Sequence, residues 1–259
     1  MKKKLALILA GTAMAAMVLA GCGEKNNASG EDAKTAESVE DKKTFTVGFD
    51  AEYPPYGYMD ENGEYTGFDL ELAEAVCKLE GWELVKKPLN WDSKDMELNS
   101  GSIDCIWNGF TMNGREDDYT FSTPYVDNSQ VIVVAEKSGI DTLEDLAGKT
   151  VGVQAASAAL DLLKSEEEGG QKKLADTFGA LNEFADYNTA FTELQAGALD
   201  VLAIDVGVAN YQIKSRGDGY KILDETLNTE QYAIGFKKGN QELCDVVNAD
   251  LKKLTEDGT

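Results

Sequence analysis

The apolar residues of the chain form two patterns that alternate along most of its length. Short apolar or alternating runs predict strands at 44–49, 83–87, 103–107, 126–136, 151–154, 184–187, 200–205, 220–223 and 231–237. Apolar residues at helical spacing predict helices at 67–81, 92–100, 157–163, 188–194, 206–214 and from 240 onward. Strands that alternate with helices in this way are typical of an α/β fold.

Local signals mark several helix ends. The first long helix is predicted to end at Gly81 and to turn five apolar residues toward the core: Phe68, Leu72, Ala75, Val76 and Leu79. The sequence DTLE at 141–144 has the form of a capping box for a short helix that closes at Gly148. Ser157 and Asn188 are predicted to cap the helices that follow them.

The first 43 residues follow neither pattern. Lysines at 2–4 precede an apolar segment that ends in Leu-Ala-Gly-Cys22, which predicts a secretory signal peptide over 1–21. A transmembrane helix is disfavoured, because glycine and alanine dilute the segment and polar residues follow it at once. Residues 22–43 have no aromatic side chain and almost no large aliphatic one, so a flexible tether is predicted there.

Composition narrows the possible functions of the 259 residues, which could form one large domain or two lobes. The formal charge of −23 argues against nucleic acid and anionic lipid surfaces as partners. The absence of histidine removes Ser-His-Asp, Cys-His and HExxH sites. The cysteines lack CxxC spacing, which argues against zinc. Cys77 and Cys105 could form a disulfide, but two buried thiols are the favoured interpretation.

Two charged residues lie at or beyond the carboxyl ends of predicted strands. Arg115 lies in a polar loop and is one of only two arginines in the chain. Its planar guanidinium suits a carboxylate held by two hydrogen bonds, and the alternative is a surface ion pair with an acid at 116–118. Asp205 ends the apolar run at 200–205 and could either face a ligand or cap the following helix.

Four motifs together resemble the bacterial solute-binding proteins of family 3, the polar amino-acid receptors of ABC importers. They are GFDLELAEAVC at 67–77, DAEYPPY at 50–56, the Gly-x-Thr…Arg…Phe-Ser-x-Pro-Tyr pattern at 109–125, and VGVQ at 151–154. The resemblance covers 44–259 and implies a two-lobe α/β fold of the periplasmic-binding-protein type II, with a ligand cleft between lobes joined by two crossing strands. The crossings would fall near 127–131 and 229–232, with lobe one at 44–129 plus 230–259 and lobe two at 130–229.

The resemblance also implies which residues would bind the two charged groups of an amino acid. Arg115 would hold the α-carboxylate, and Gly109 and Thr111 would offer backbone and hydroxyl groups beside it. Asp205 would take the α-ammonium. Thr111 and Arg115 are one residue closer together than the more usual Thr-x-Thr-x-x-Arg spacing.

The same resemblance assigns residues to the ligand side chain. Tyr53 and Trp91 would flank it, Asp50 would face its far end, and Gln154 and Ser157 would contribute from lobe two. Because nothing in this set would neutralise an acidic side chain, a polar uncharged or cationic ligand is predicted. Alanines at 156 and 158 replace the glycine and serine often found there, and the terminal helix that relatives usually carry on lobe one is not contained in this chain.

The expected function follows from these assignments. Leu-Ala-Gly-Cys resembles the bacterial lipobox, which implies a lipid on Cys22 that anchors the exported protein to the membrane. The protein is expected to bind a free L-amino acid as a monomer, without cofactor or metal, and to deliver it to an ABC transporter permease. A dehydratase-like enzyme on the same fold and a ligand sensor are the alternatives, and the absent histidine favours binding.

Overall fold

Strands and helices alternate through the described part of the protein. The computed structural model describes residues 39–217 and 219–259. The predicted signal peptide, Cys22 and the tether as far as residue 38 lie outside the described residues. The strands are β1 (Thr44–Phe49), β2 (Glu52–Tyr53), β3 (Gly57–Met59), β4 (Tyr65–Thr66), β5 (Glu83–Pro88), β6 (Cys105–Ile106), β7 (Tyr119–Phe121), β8 (Val126–Ala135), β9 (Thr150–Gln154), β10 (Ala180–Phe184), β11 (Val201–Asp205), β12 (Tyr220–Ile222), β13 (Asn228–Tyr232) and β14 (Gly235–Lys237).

The helices follow the strands closely. They are α1 (Phe68–Glu80), α2 (Lys94–Asn99), α3 (Ala158–Lys164), α4 (Lys172–Ala175), α5 (Tyr187–Ala196), α6 (Val206–Arg216) and α7 (Gln241–Asp257), with 3-10 turns at Val39–Asp41, Trp91–Ser93 and Glu144–Leu146. No helix in these described ranges is long and apolar enough to cross a membrane.

The first sheet has the strand order β5-β1-β6-β14-β7. Strand β1 is parallel to both β5 and β6, whereas β14 is antiparallel to its neighbours. Because side chains alternate along a strand, Phe45, Val47 and Phe49 all point to one face, where α1 and α7 bury them. Helix α2 covers the opposite face, where its Leu98 lies in one apolar cluster with Ile106 of β6.

The second sheet has the order β10-β9-β11-β8-β12, and β13 pairs with β8 outside this path. Strands β9, β10 and β11 are parallel, and β8 runs against them. Alternation along β8 places Val131 and Val133 under α5 and α6, and Ile132 and Val134 under α3. This strand is therefore buried on both faces, which explains its continuous apolar run.

The chain passes between the two sheets twice. It leaves β7 of the first sheet for β8 of the second, and it returns from β13 to β14. The predicted crossing segments lie within β8 and β13, which pair antiparallel with Asp127 opposite Gln231. The single strand predicted at 231–237 is divided between β13 and β14, because the chain changes sheets at that point.

The predicted core face of α1 is wrong at both ends. The side chains of Phe68 and Leu79 are 49% and 45% exposed. The helix instead buries Asp69, Leu70, Ala73, Val76 and Cys77. Phe68 stacks on Tyr125, with ring centroids 6.3 Å apart, so its ring is used outside the core. The predicted C-terminus is correct, because Gly81 adopts a left-handed conformation there.

Two predicted helix starts are displaced. The 3-10 turn at Glu144–Leu146 has no side-chain cap at its start, and Asp145 inside the turn instead accepts from the backbone N–H groups of Asp141 and Thr142 at 3.0 Å each. Helix α5 is capped by Asp186 rather than Asn188, because the extended backbone of Asp186 lets its carboxylate reach the N–H of Thr189 at 2.7 Å. The strand predicted at 184–187 is β10, which ends at Phe184.

The three cysteines of the described part are buried free thiols: Cys77, Cys105 and Cys244. This agrees with the interpretation of Cys77 and Cys105 as neighbouring core residues rather than a disulfide. Burial raises the pKa of Cys77 to about 12. A thiol of this kind acts as a small apolar side chain.

Candidate ligand-binding site

A small inner cavity brings together eight of the nine predicted ligand residues. Its lining comprises Tyr53, Trp91, Gly109, Phe110, Thr111, Arg115, Gln154, Ser157, Ala158 and Asp205. The residues come from both sheets and from the loops that follow their strands. The cavity measures about 10 Å³, which is room for roughly one water molecule. Binding of an amino acid in this place would therefore require the walls to move apart.

The ninth residue, Asp50, lines a larger outer cavity of about 820 Å³. Trp91 belongs to both cavities and separates them. Five further acids line the outer cavity: Glu52, Asp92, Glu97, Glu183 and Asp186. Among the described residues, no lysine or arginine lines it. Its electrostatic character therefore favours a positive or neutral group over a carboxylate.

Asp50 follows β1 of the first sheet and is hydrogen-bonded to Gln154, which ends β9 of the second sheet. Its carboxylate accepts from the backbone N–H of Glu52 at 2.8 Å and from Gln154 Nε2 at 2.7 Å. Burial raises the pKa of Asp50 to about 6, against the lowering effect of these two hydrogen bonds. Gln154 Nε2 also donates to the carbonyl of Ala185 at 3.1 Å, which fixes the orientation of the amide.

Arg115 projects from the loop after β6 toward the second sheet. Its Nη2 donates to Asp161 on α3 at 2.7 Å, and its Nη1 donates to the carbonyl of Thr111 at 3.4 Å. The guanidinium also lies 5.1 Å from the centroid of the Phe110 ring. The partner is therefore not one of the acids at 116–118. Sequence reasoning missed Asp161, although its i+4 spacing from the predicted ligand residue Ser157 puts both on one helical face.

Asp205 ends β11 and is buried beneath the inner cavity. It occupies the N-cap position of α6, but its side chain makes no capping hydrogen bond. The carboxylate instead accepts from Asn128 Nδ2 at 2.8 Å, Gln130 Nε2 at 2.6 Å and the Tyr232 hydroxyl at 2.7 Å. Burial, followed by the charge of Glu230, raises the pKa of Asp205 to about 6.

Four of these neighbours escaped the sequence reasoning as site residues: Asn128, Gln130, Glu230 and Tyr232. A signal for the two amides was present, because they interrupt the apolar strand β8 at alternate positions and so share one face. Glu230 lies on β13, and its Oε1 accepts from the Thr111 hydroxyl at 2.8 Å. No local pattern distinguishes it from a surface acid.

Gly109 has a conformation and a close contact that both require glycine. Its φ of 55° is left-handed, and a Cβ atom would lie 2.9 Å from the ring of Tyr232. Its N–H donates to the buried carboxylate of Asp69 at 2.5 Å, and burial raises the pKa of Asp69 to about 7. This N–H therefore already has an acceptor in Asp69, and the place of the Gly109 backbone beside a ligand carboxylate stays a prediction.

The turn after β9 carries the remaining predicted residues. Ser157 Oγ accepts from the N–H of Leu160 at 3.2 Å, so it caps α3 as predicted, and it donates to the carbonyl of Gln154 at 2.8 Å. Ala156 has a left-handed φ of 54°, which costs a non-glycine residue about 1 kcal/mol. Its carbonyl accepts from the buried Lys94 at 3.3 Å, and Lys94 lines neither of the two cavities.

Comparison with known proteins gives a consistent family. Residues 45–259 match the family described as bacterial extracellular solute-binding proteins, family 3. The L-cystine-binding protein TcyJ of Escherichia coli is 30% identical over 95% of this chain and 89% of its own length. The arginine-binding extracellular protein ArtP of Bacillus subtilis is 33% identical over 100% of this chain and 94% of its own length. These relatives are solute-binding proteins, not enzymes.

A solved structure agrees in fold. The substrate-binding protein of an ABC uptake transporter from Streptococcus pneumoniae, crystallised with histidine, has a TM-score of 0.79 and 34% identity. The match covers 85% of this chain and 90% of that one. The predicted α/β fold, of the periplasmic-binding-protein type II, is thereby confirmed, as is the family resemblance.

Proposed function

Because the chain belongs to the bacterial extracellular solute-binding proteins of family 3, we propose that it is an extracytoplasmic receptor for a polar or cationic L-amino acid. It delivers this amino acid to the permease of an ABC importer and acts as a monomer. The observation that carries the proposal is that Arg115 and Asp205 line the same inner cavity. One cationic and one anionic side chain suit the α-carboxylate and α-ammonium of a free amino acid.

Ligand entry occurs by a hinge motion of two lobes, 44–129 plus 230–259 and 130–229. Three observations support this step. The inner cavity of about 10 Å³ is too small for an amino acid, and in the described part of the chain the backbone passes between the two main sheets at β8 and at β13. The contacts of Arg115 with Asp161 and of Asp50 with Gln154 join the two lobes and can separate on opening.

The side chain of the ligand extends past Trp91 toward the outer cavity. The acids that line this cavity, with Asp50 among them, support an uncharged or cationic side chain. The names of the relatives agree with this class, since arginine is cationic, histidine is neutral or cationic, and the distal half of cystine has an ammonium that balances its carboxylate. An acidic side chain would bring a further negative charge against the buried Asp50, at a cost of several kcal/mol.

A thermal-shift screen with the twenty L-amino acids and L-cystine tests this proposal. A ligand that binds only the folded state stabilises it, and a concentration of a hundred times Kd raises Tm by roughly 5–10 °C for a protein of this size. We expect the largest shifts from arginine, histidine, glutamine or cystine. Glutamine and glutamate form a matched pair of equal size, and glutamate is expected to give almost no shift.

The Asp50→Asn variant provides the control for this screen. Asparagine keeps the shape of the side chain but removes its charge, so the discrimination between glutamine and glutamate should become smaller. The strongest stabilisation by glutamate or aspartate in the unchanged protein would contradict the assignment of Asp50 to the side-chain end. A protein that no amino acid stabilises would contradict the proposed function as a whole.

The receptor is held at the membrane by a lipid on Cys22. The Lys-rich start and the Leu-Ala-Gly-Cys motif support this anchor, and so does membership of an extracellular family. The residues between Cys22 and the folded body are rich in polar side chains and would leave the body free to reach the permease.

Metabolic labelling with a fatty-acid analogue tests the anchor. The Cys22→Ser variant is expected to lose all label, because serine lacks the thiol that carries the lipid. Cys244→Ser is the matched control and should label normally, since Cys244 is buried in the folded body. Equal labelling of the Cys22→Ser protein would refute the anchor.

A further inference from the structure

The carboxylates of Asp205 and Glu230 share the same two hydrogen-bond donors. Asn128 Nδ2 lies 2.8 Å from Asp205 Oδ1 and 2.7 Å from Glu230 Oε1. Gln130 Nε2 lies 2.6 Å from Asp205 Oδ1 and 2.7 Å from Glu230 Oε1. All four side chains are buried. The two acids are therefore neighbours in one polar cluster, connected through the amides of β8.

This cluster has too few donors and no balancing charge. The amide oxygens Asn128 Oδ1 and Gln130 Oε1 are buried and have no hydrogen-bond partner. Within residues 39–217 and 219–259, neither Asp205 nor Glu230 forms an ion pair with a lysine or arginine. Buried acceptors and charges of this kind are normally satisfied. A group that brings N–H donors and positive charge would therefore suit this cluster.

The Thr111 hydroxyl connects this cluster to the inner cavity. A hydroxyl has a single hydrogen, and Thr111 donates it to Glu230 Oε1 at 2.8 Å. The lone pairs of the same oxygen remain available as acceptors, and Thr111 lines the cavity beside Asp205. Glu230 therefore turns Thr111 from a possible donor to a carboxylate into an acceptor for an N–H group.

We propose that Glu230 is the second carboxylate of the α-ammonium site. It is a positioning residue that orients Thr111, and its negative charge makes the site select a cationic amine. The inference rests on the proposed function, in which the α-ammonium binds at Asp205. Glu230 does not line the inner cavity, so it acts through Thr111, Asn128 and Gln130 and through its field at Asp205.

The groups around Asp205 leave Glu230 as its main electrostatic neighbour. In the described part of the chain, the other titratable side chains that interact with it are four phenols: Tyr53 from β2, Tyr56 from the turn after β2, Tyr187 from α5 and Tyr232 from β13. Burial raises the pKa of each phenol well above its ordinary value, so all four are neutral near pH 7. The charge of Glu230 is the largest cause, after burial, of the raised pKa of Asp205.

The sign of the expected pH dependence follows from this arrangement. An ammonium binds to the ionised form of Asp205, so affinity is highest above the pKa of this group in the free protein. That pKa is about 6, and affinity should fall as the pH is lowered through this value. Removal of the Glu230 charge lowers the pKa of Asp205, and the decline in affinity should then begin at a lower pH.

Calorimetric titration of the Glu230→Gln variant between about pH 5 and 8 tests the inference. The probe is whichever of L-arginine, L-histidine, L-glutamine and L-cystine stabilises the unchanged protein most. Glutamine keeps the size of the side chain and an oxygen acceptor for Thr111. We expect roughly tenfold weaker binding at pH 8 and a pH midpoint clearly below that of the unchanged protein. The exposed Glu168→Gln variant is the control and should change neither quantity.

The pH midpoint of binding distinguishes the proposed role of Glu230 from a purely structural role. Asp50 titrates in the same range but is present in both proteins, so the difference between their midpoints is the readout. Weaker binding with an unmoved midpoint would overturn the inference while the proposed function stands. Failure of the unchanged protein to bind any of the four probes would overturn both.

A second variant keeps the test decisive if Glu230→Gln does not fold. Thr111→Val removes the hydroxyl that Glu230 orients but leaves both carboxylates. It should weaken binding of the amino-acid probe and leave binding of the matching acid without its α-amino group unchanged. An equal loss for both compounds would show that Thr111 does not serve the ammonium, and would overturn the role of Glu230.

Discussion

Replacement of Asp205 with asparagine is expected to weaken binding of an L-amino acid by about tenfold to a hundredfold. A hydrogen bond to a charged group contributes about 1.5–3 kcal/mol, which corresponds to this range of affinity. Asparagine has the same shape and can still accept from the Tyr232 hydroxyl, so the surrounding cluster keeps its geometry. What the variant lacks is the negative charge that an α-ammonium requires in a buried position.

The control for this experiment lies at the other end of the same segment. Asp200 precedes β11 and is exposed, and its carboxylate accepts from the N–H of Thr150 at 2.9 Å. Asp200→Asn makes the same chemical change far from the cavity and should bind normally. Calorimetry on both variants, with circular dichroism to establish folding, gives the comparison. Near-normal affinity in folded Asp205→Asn would reduce Asp205 to a structural member of its cluster.

Replacement of Arg115 with methionine is expected to have an effect of similar size. The guanidinium can hold a carboxylate through two parallel hydrogen bonds, and methionine provides none. The aliphatic part of methionine can still pack on Phe110, so the wall of the cavity is retained. The expected result is a loss of tenfold to a hundredfold in affinity, measured by calorimetry on the folded variant.

Two further variants separate the ligand contact of Arg115 from its contact with Asp161. The only other arginine, Arg216, lies 5.4 Å from the Phe191 ring, so Arg216→Met makes the same change at a similar aromatic contact and should bind normally. Asp161→Asn removes the ion pair but leaves the guanidinium in place. If Asp161→Asn lost as much affinity as Arg115→Met, the importance of Arg115 would lie in that ion pair and not in the ligand.

The two charged residues also explain how binding and closure are connected. Arg115 follows a strand of the first sheet and Asp205 ends a strand of the second. In the proposed function, one amino acid contacts both, so the free energy of its two charged groups favours the closed arrangement. The existing ion pair between Arg115 and Asp161 would then have to share the guanidinium with the ligand carboxylate.

The order of elements was predictable because it depends on local periodicity. Strand β1, helix α1 and strand β11 lie close to where their apolar patterns place them. Gly81 ends its helix, because glycine adopts the left-handed backbone conformation at this position with little cost in free energy. Arg115 and Asp205 were also identifiable, because Arg115 lies in the loop after a predicted strand and in a collinear family motif, and Asp205 ends a predicted strand.

The environment of these two residues was decided only by the tertiary structure. Arg115 meets Asp161, which is 46 positions later, and Asp205 meets Asn128, 77 positions earlier. Spacing along the chain carries no information about contacts at such separations. The same limit explains the wrong core face of α1, because both candidate faces contain apolar residues and the packing of the sheet selected one.

The sequence alone determined the fold class, the family and the pair of charges that suit an amino acid. Those properties depend on the spacing of apolar residues and on short motifs, and both act through the local geometry of helices and strands. The tertiary structure decided that Gly109 donates to Asp69, and that Thr111 donates to Glu230. A buried polar group takes whichever partner the packing brings within hydrogen-bond distance, and that choice depends on strands far apart in the chain.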